Sequence, residues 1–218
     1  MEDDAYTDFY TAFATGELRT TSPAVLCSVP LKHIIQENGK FCGFRFHFYL
    51  CRCRTGMVIF MEKRYYIAYG SNLNIRQMRM RCPHATICGT ARLNGWELLF
   101  KGSKTGSYLT IEKCETGTVP IVIWEVTAQD EKALDRYEGY PNFYYKRELK
   151  VKYKGIRTGK HRTVTAFVYI MHEERPIGVP SDFYMDTCLE GYDTFYFDPG
   201  ILLAAYDKSL EVCGYERK

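Results

Sequence analysis

Two short stretches of this 218-residue chain hold residues whose types and spacing suit chemistry. In the first, an apolar, aromatic run ends in Tyr69-Gly70-Ser71-Asn72, and a basic, helix-like segment follows. Glycine permits positive φ, and Ser and Asn add short donors. A helix opening near Ile75 would present N–H groups without intrahelical acceptors at its positive end. A loop built this way suits a carboxylate or a developing oxyanion. The same residues also make an ordinary turn. The second stretch is LDRYEGYPNFY, residues 134–144. Here Glu138 is expected to be the last residue of a helix, directly before Gly139, with Tyr137, Tyr140, Phe143 and Tyr144 around it. A carboxylate at the negative end of a helix, desolvated by rings, has its pKa pushed upward. That suits a general base that must later return its proton. A solvated Glu at a helix end is the plain alternative.

The elements that position these stretches can be read from periodicity and caps. A strand is expected over residues 64–69, then a helix over 75–81 with Asn74 as N-cap and Pro83 beyond its end. Strand-like runs follow at 89–93, 96–100, 107–112, 120–126, 144–153 and 163–171, separated mostly by Gly, Asn or Lys-Gly turns. A helix over 130–137 lies between the fourth and fifth of these runs, with Thr127 and Asp130 spaced as a capping box. The tail adds a helix over 182–190, capped by Ser181 and stopped at Gly191. A last helix over 200–210 is opened by Asp198-Pro199 and buries Leu202, Leu203, Tyr206 and Leu210. Many short strands with few helices between them predict an α+β fold: a small, mostly antiparallel β-barrel with peripheral helices.

Composition narrows the function class. A net charge of +3 with scattered basic residues argues against nucleic acid as partner. No apolar run approaches the roughly 20 residues that span a bilayer. The acidic start MEDDAYTDFY lacks the basic and apolar regions of a secretory signal, so a cytoplasmic protein is expected. Nine dispersed cysteines fit reduced thiols better than a disulfide framework. Cys51 and Cys53, with Cys42, His33 and His47 nearby, lack the paired knuckles of structural zinc, so no metal is assigned. Residues 42–51 alternate as a half-buried strand does. Phosphate-binding, dinucleotide-binding and G-x-S-x-G motifs are all missing, and no cofactor is expected.

In order, IAYGSNL (67–73), G-x-A-x-L-x-G-W (89–96), VIWEVT (122–127), LDRYEGYPNFY (134–144) and TAFVYIM (165–171) resemble the γ-glutamylcyclotransferase family, the AIG2-like superfamily. The resemblance runs over about residues 64–210, including a tail of the PSDFYMDTCLEGY kind. It implies a small barrel that takes a small γ-glutamyl compound. The substrate's own α-amine attacks its γ-carbonyl, giving 5-oxoproline and releasing the attached amine or amino acid. It also implies that Glu138 is the general base and acid. The γ-glutamyl group would be held by Tyr69, Gly70, Ser71, Asn72 and Leu73, with Tyr169 a further substrate contact.

Other residues are weighed against these. His84 and His172 are lone histidines without an obvious partner, and Lys101 and Lys104 read as part of a solvated hairpin. Tyr192 and Tyr196 are placed to close over the site, and the rings of 140–145 suit either a pocket wall or core. Residues 1–60 fall outside the resemblance, while 61–218 would make the catalytic domain. The first 60 are expected to be an accessory segment, a protein-interaction module, or sequence upstream of a start at Met61. A binding module for a γ-glutamyl-like ligand is the non-catalytic alternative.

Overall fold

A computed structural model describes residues 49–53, 56–60, 63–103 and 106–215. The chain divides into two units, Met1–Glu62 and Lys63–Lys218. In the first, β1 (Tyr49–Cys53) and β2 (Gly56–Phe60) form an antiparallel hairpin with Cys51 opposite Val58. The helical hint at 5–13, the loop at 20–23 and most of the strand read over 42–51 lie outside the described residues, as does Lys104.

The described residues of the second unit hold five strands and four α-helices. They are β3 (Arg64–Ala68), a 3-10 turn (Ser71–Leu73), α1 (Ile75–Arg81), β4 (Thr86–Ser103), β5 (Gly106–Val126), α2 (Ala128–Glu138), β6 (Tyr144–Gly155), β7 (His161–Met171), α3 (Asp182–Thr194) and α4 (Pro199–Cys213). The strands close into a barrel in the order β3-β5-β4-β6-β7. All pairings are antiparallel except the closing one, where Tyr65 and Tyr66 of β3 lie parallel to Ala166 and Phe167 of β7. This is the expected α+β barrel with peripheral helices. Val119, Ile121, Val122, Ile123 and Trp124 of β5 are all buried, so this strand is covered on both faces.

Two features differ from the sequence reading. The four expected strands between residues 89 and 126 are two long ones, β4 and β5, paired from Thr86 opposite Glu125 to Ser103 opposite Gly106. Asn94-Gly95 reads as a turn in sequence. In the fold it is a bulge: Gly95 takes φ 78° and the register shifts between Asn94 and Trp96 while pairing continues. The other difference is Gly191, which does not stop its helix, since α3 continues to Thr194.

Gly191 serves packing instead. A Cβ built there would stand 2.6 Å from Leu73 Cβ and 3.0 Å from the Asn74 nitrogen, so the missing side chain lets α3 close over the 3-10 turn. Asn74 secures the same joint. Its side-chain oxygen caps α1 by accepting from Gln77 N at 3.1 Å, and its Nδ2 donates to Glu190 Oε2 of α3 at 2.7 Å. Gly191→Ala is therefore expected to lower stability by about 1–3 kcal/mol, the usual range for overpacking. Thermal unfolding of the variant checks this, and an unchanged midpoint would contradict the joint.

Candidate active site

Glu138 reaches its place through helix α2, whose two ends are both defined. At the start, Thr127 and Asp130 make the reciprocal capping box. At the end, Gly139 adopts the left-handed conformation, φ 62° and ψ 33°, which turns the chain away directly after Glu138. The neighbouring Phe143 packs close to Gly139, 3.1 Å from where a Cβ would lie.

The loop after β3 brings Asn72 to the same point. Leu73 N–H and Asn74 N–H close the turn onto the carbonyls of Gly70 and Ser71, at 2.8 and 3.1 Å. The N–H groups of Ser71 and Asn72 stand in the first turn, without an acceptor within it. Asn72 is 3% exposed, yet every polar atom of its amide is used. Nδ2 donates to Glu138 Oε1 at 2.9 Å and to Tyr66 Oη at 2.8 Å. Oδ1 accepts from Arg81 Nη1 at 2.6 Å. Arg81 lies at the end of α1, donates also to Gln77 Oε1 at 2.7 Å, and stacks 3.6 Å over the Tyr137 ring. A flipped amide would set oxygen against the Glu138 carboxylate and nitrogen against the guanidinium, so Arg81 dictates which way Asn72 points.

Of these, Tyr66, Asn72 and Glu138 line a cleft with Tyr69, Gly70, Ser71, Leu109, Tyr144, Tyr169 and Tyr184. Most of its hydroxyls are already bound. Tyr69 donates to the Tyr169 carbonyl at 2.7 Å, Tyr144 to the Leu109 carbonyl at 2.8 Å, and Tyr169 to Asp135 Oδ1 at 2.7 Å. Tyr184 Oη accepts from Leu109 N–H at 3.1 Å. Burial pushes the phenols of Tyr66, Tyr69, Tyr144 and Tyr184 well up, so all four stay neutral. Beneath Tyr169, Asp135 is held by Lys146 at 2.7 Å, and Lys146 also pairs with Glu131, which binds Arg64.

Desolvation raises Glu138 to about 7, against the opposing pull of the Arg81 charge and the Asn72 hydrogen bond. The residue is only partly exposed, on the wall of an aromatic cleft. At neutral pH its carboxyl is therefore poised between acid and base.

Of the residues singled out by sequence, Tyr69, Gly70, Ser71, Asn72, Glu138 and Tyr169 all line this cleft. Leu73 does not: it is fully buried and faces Gly191. Asn74 caps α1 as expected, accepting from Gln77 N, and its Nδ2 turns to Glu190. Tyr192 is core, packed on Phe197, and Tyr196 is 95% exposed, so neither closes the cleft. Tyr144 lines the cleft while Tyr140 is exposed. Lys101 is buried against Glu112 and the Glu173 carbonyl, not solvated. His84 lies 3.6 Å from Asp130, and His172 Nε2 contacts the Pro141 carbonyl at 2.8 Å. Among the described residues, no group of three His, Cys, Asp or Glu is arranged for a metal, and no helix is long and apolar enough to cross a membrane.

Sequence reasoning missed Tyr66, Arg81, Leu109 and Tyr184. Only Tyr66 carried a local signal, since in β3 it shares a face with Arg64 and Ala68 by alternation.

Residues 66–186 match the family described as gamma-glutamyl cyclotransferase, AIG2-like. The chain belongs to this family. It is 31% identical over 119 residues to the gamma-glutamylcyclotransferase of Mus musculus, covering 51% of this chain and 62% of the mouse protein. The Homo sapiens protein of the same name is 31% identical over 123 residues, covering 53% of this chain and 64% of the human one. The chain thus spans just under two thirds of the length of these relatives. A solved gamma-glutamyl cyclotransferase structure superposes with a TM-score of 0.53 at 27% identity, over 68% of this chain and 86% of that one.

Proposed function

We propose that this cleft cyclises a γ-glutamyl group to 5-oxoproline and releases the attached amine or amino acid, with Glu138 as the proton carrier. The observation that carries the reading is one carboxylate raised to about 7, held by Asn72 of the loop it faces across an aromatic cleft. Relatives that bear the gamma-glutamylcyclotransferase name support it.

The chemistry follows from these parts. Bound in the cleft, the substrate's α-nitrogen and γ-carbonyl are five-ring neighbours, so proximity supplies much of the rate. Glu138 takes a proton from the α-ammonium, the nitrogen attacks the γ-carbon, and a C–N bond forms. The tetrahedral intermediate collapses as the original amide C–N bond breaks. Two protons leave the α-nitrogen in all, and both end on the departing nitrogen, carried by Glu138. No water is consumed and nothing is oxidised or reduced. The open N–H groups of Ser71 and Asn72 receive a negative oxygen of the substrate, and neutral phenols leave the base unopposed by further charge. A pure binding module would gain nothing from a carboxylate desolvated to this extent.

A pH profile tests the reading. Glu138 must be deprotonated to act as base, so activity is absent below its folded pKa and appears above it. kcat/KM for amine release from a γ-glutamyl substrate is expected to rise with pH through an acidic limb near 7. A limb near 4.5, or none down to that pH, would exclude Glu138 as the base.

A further inference from the structure

Four cations stack on the rings in and around the cleft, and three of them are committed. Arg64 over Phe167 pairs with Glu131 and Glu148, and Lys146 over Tyr169 pairs with Glu131 and Asp135. Arg81 over Tyr137 holds Asn72 and Gln77. The fourth, Arg175, stacks 3.9 Å over Phe143, and its guanidinium makes one hydrogen bond, from Nη2 to the Asn142 carbonyl at 3.3 Å. Among the described residues it has no carboxylate partner, and its Nε is buried without an acceptor. Fixing a guanidinium on a ring leaves its outer edge pre-organised to take a carboxylate.

Phe143 connects this cation to the cleft. Its ring lies 5.3 Å from that of Tyr144, which lines the cleft, and 6.2 Å from Tyr108. Tyr108 in turn meets Tyr184, another lining residue, at 5.2 Å. The Phe143 Cβ also packs against Gly139, the residue after Glu138. The cleft itself is lined by rings, Leu109 and the loop, with no cation among its lining residues.

Resting on the cyclotransferase reading, we propose that Arg175 is a specificity residue: it binds the carboxylate of the departing amino acid or peptide. The chain would then act on γ-glutamyl amino acids or peptides in preference to γ-glutamylamines, whose leaving group has no carboxylate.

The test compares γ-glutamyl-alanine with γ-glutamyl-ethylamine, which differ by that one carboxylate, in wild type, Arg175→Met and Arg175→Lys. Wild type is expected to favour γ-glutamyl-alanine by about 10- to 100-fold in kcat/KM, the range of a hydrogen bond to a charged group. Arg175→Met loses that preference, mainly through KM, while keeping its rate on γ-glutamyl-ethylamine within about twofold, which also shows that it is folded. Arg175→Lys retains part of the preference, because an ammonium lacks the planar fork. Equal rates on both substrates in wild type would overturn the proposal, as would an equal fall on both in Arg175→Met. No turnover of either substrate by wild type would instead overturn the cyclotransferase reading, and this proposal with it.

Discussion

Glu138→Gln is expected to keep the fold and to lose about 10²- to 10⁴-fold in kcat, the usual worth of a positioned acid–base group. Glutamine has the same shape, and its Oε1 can still accept from Asn72 Nδ2, which donates at 2.9 Å in the native site. The proton carrier alone is removed, so KM should change little while turnover collapses. Stability gives an independent control. A carboxyl raised to about 7 contributes stability that is fully present below the ordinary carboxylate pKa and is lost as the pH rises through about 7. The variant has no such loss, so its melting temperature relative to wild type should climb between pH 5 and pH 8. A variant that unfolds at neutral pH would mean that Glu138 serves the structure, and one that keeps full activity would remove it from the mechanism.

Arg81→Met is expected to act on the same carboxylate from behind. Arg81 pulls the Glu138 pKa down and fixes the Asn72 amide through a 2.6 Å bond. Losing the charge removes a pull that lowers the Glu138 pKa, so the acidic limb of the pH profile moves above 7. Losing the orienting bond frees Asn72 to turn its oxygen toward Glu138, which costs a further factor. Together they should lower kcat/KM at pH 7 by about 10- to 100-fold. Arg81→Lys keeps the charge but not the fork that spans Asn72 and Gln77, so it should restore the limb more fully than the rate. A limb that stays in place in Arg81→Met would contradict this coupling.

What could be read in the sequence was local. Thr127, Asp130 and Gly139 mark the ends of α2 within a dozen residues, and those marks alone place Glu138 last on its helix. Ser181, Asp198 and the strand alternations work in the same way. The partners that tune Glu138 are not local to it. Asn72 reaches Glu138 across 66 residues, and Arg81 closes on Asn72 from nine residues away. Nothing in the pattern around Arg81 distinguishes it from Arg79, another basic residue of the last turn of α1. Glycines misled where tertiary packing overrode their usual meaning. Gly95 bends a continuous strand, and Gly191 sits inside a helix because Leu73 needs the space. Desolvation of Glu138 was legible from the surrounding tyrosines, whereas the opposing pull of Arg81 was not.

The most direct measurement is product analysis after incubating the protein with γ-glutamyl-alanine in ¹⁸O-labelled water. Intramolecular aminolysis predicts one 5-oxoproline per alanine released, with no label in either product, and negligible release by Glu138→Gln. Labelled glutamate in place of 5-oxoproline would mean that water is the nucleophile. That result, or equal release by Glu138→Gln, would contradict the account.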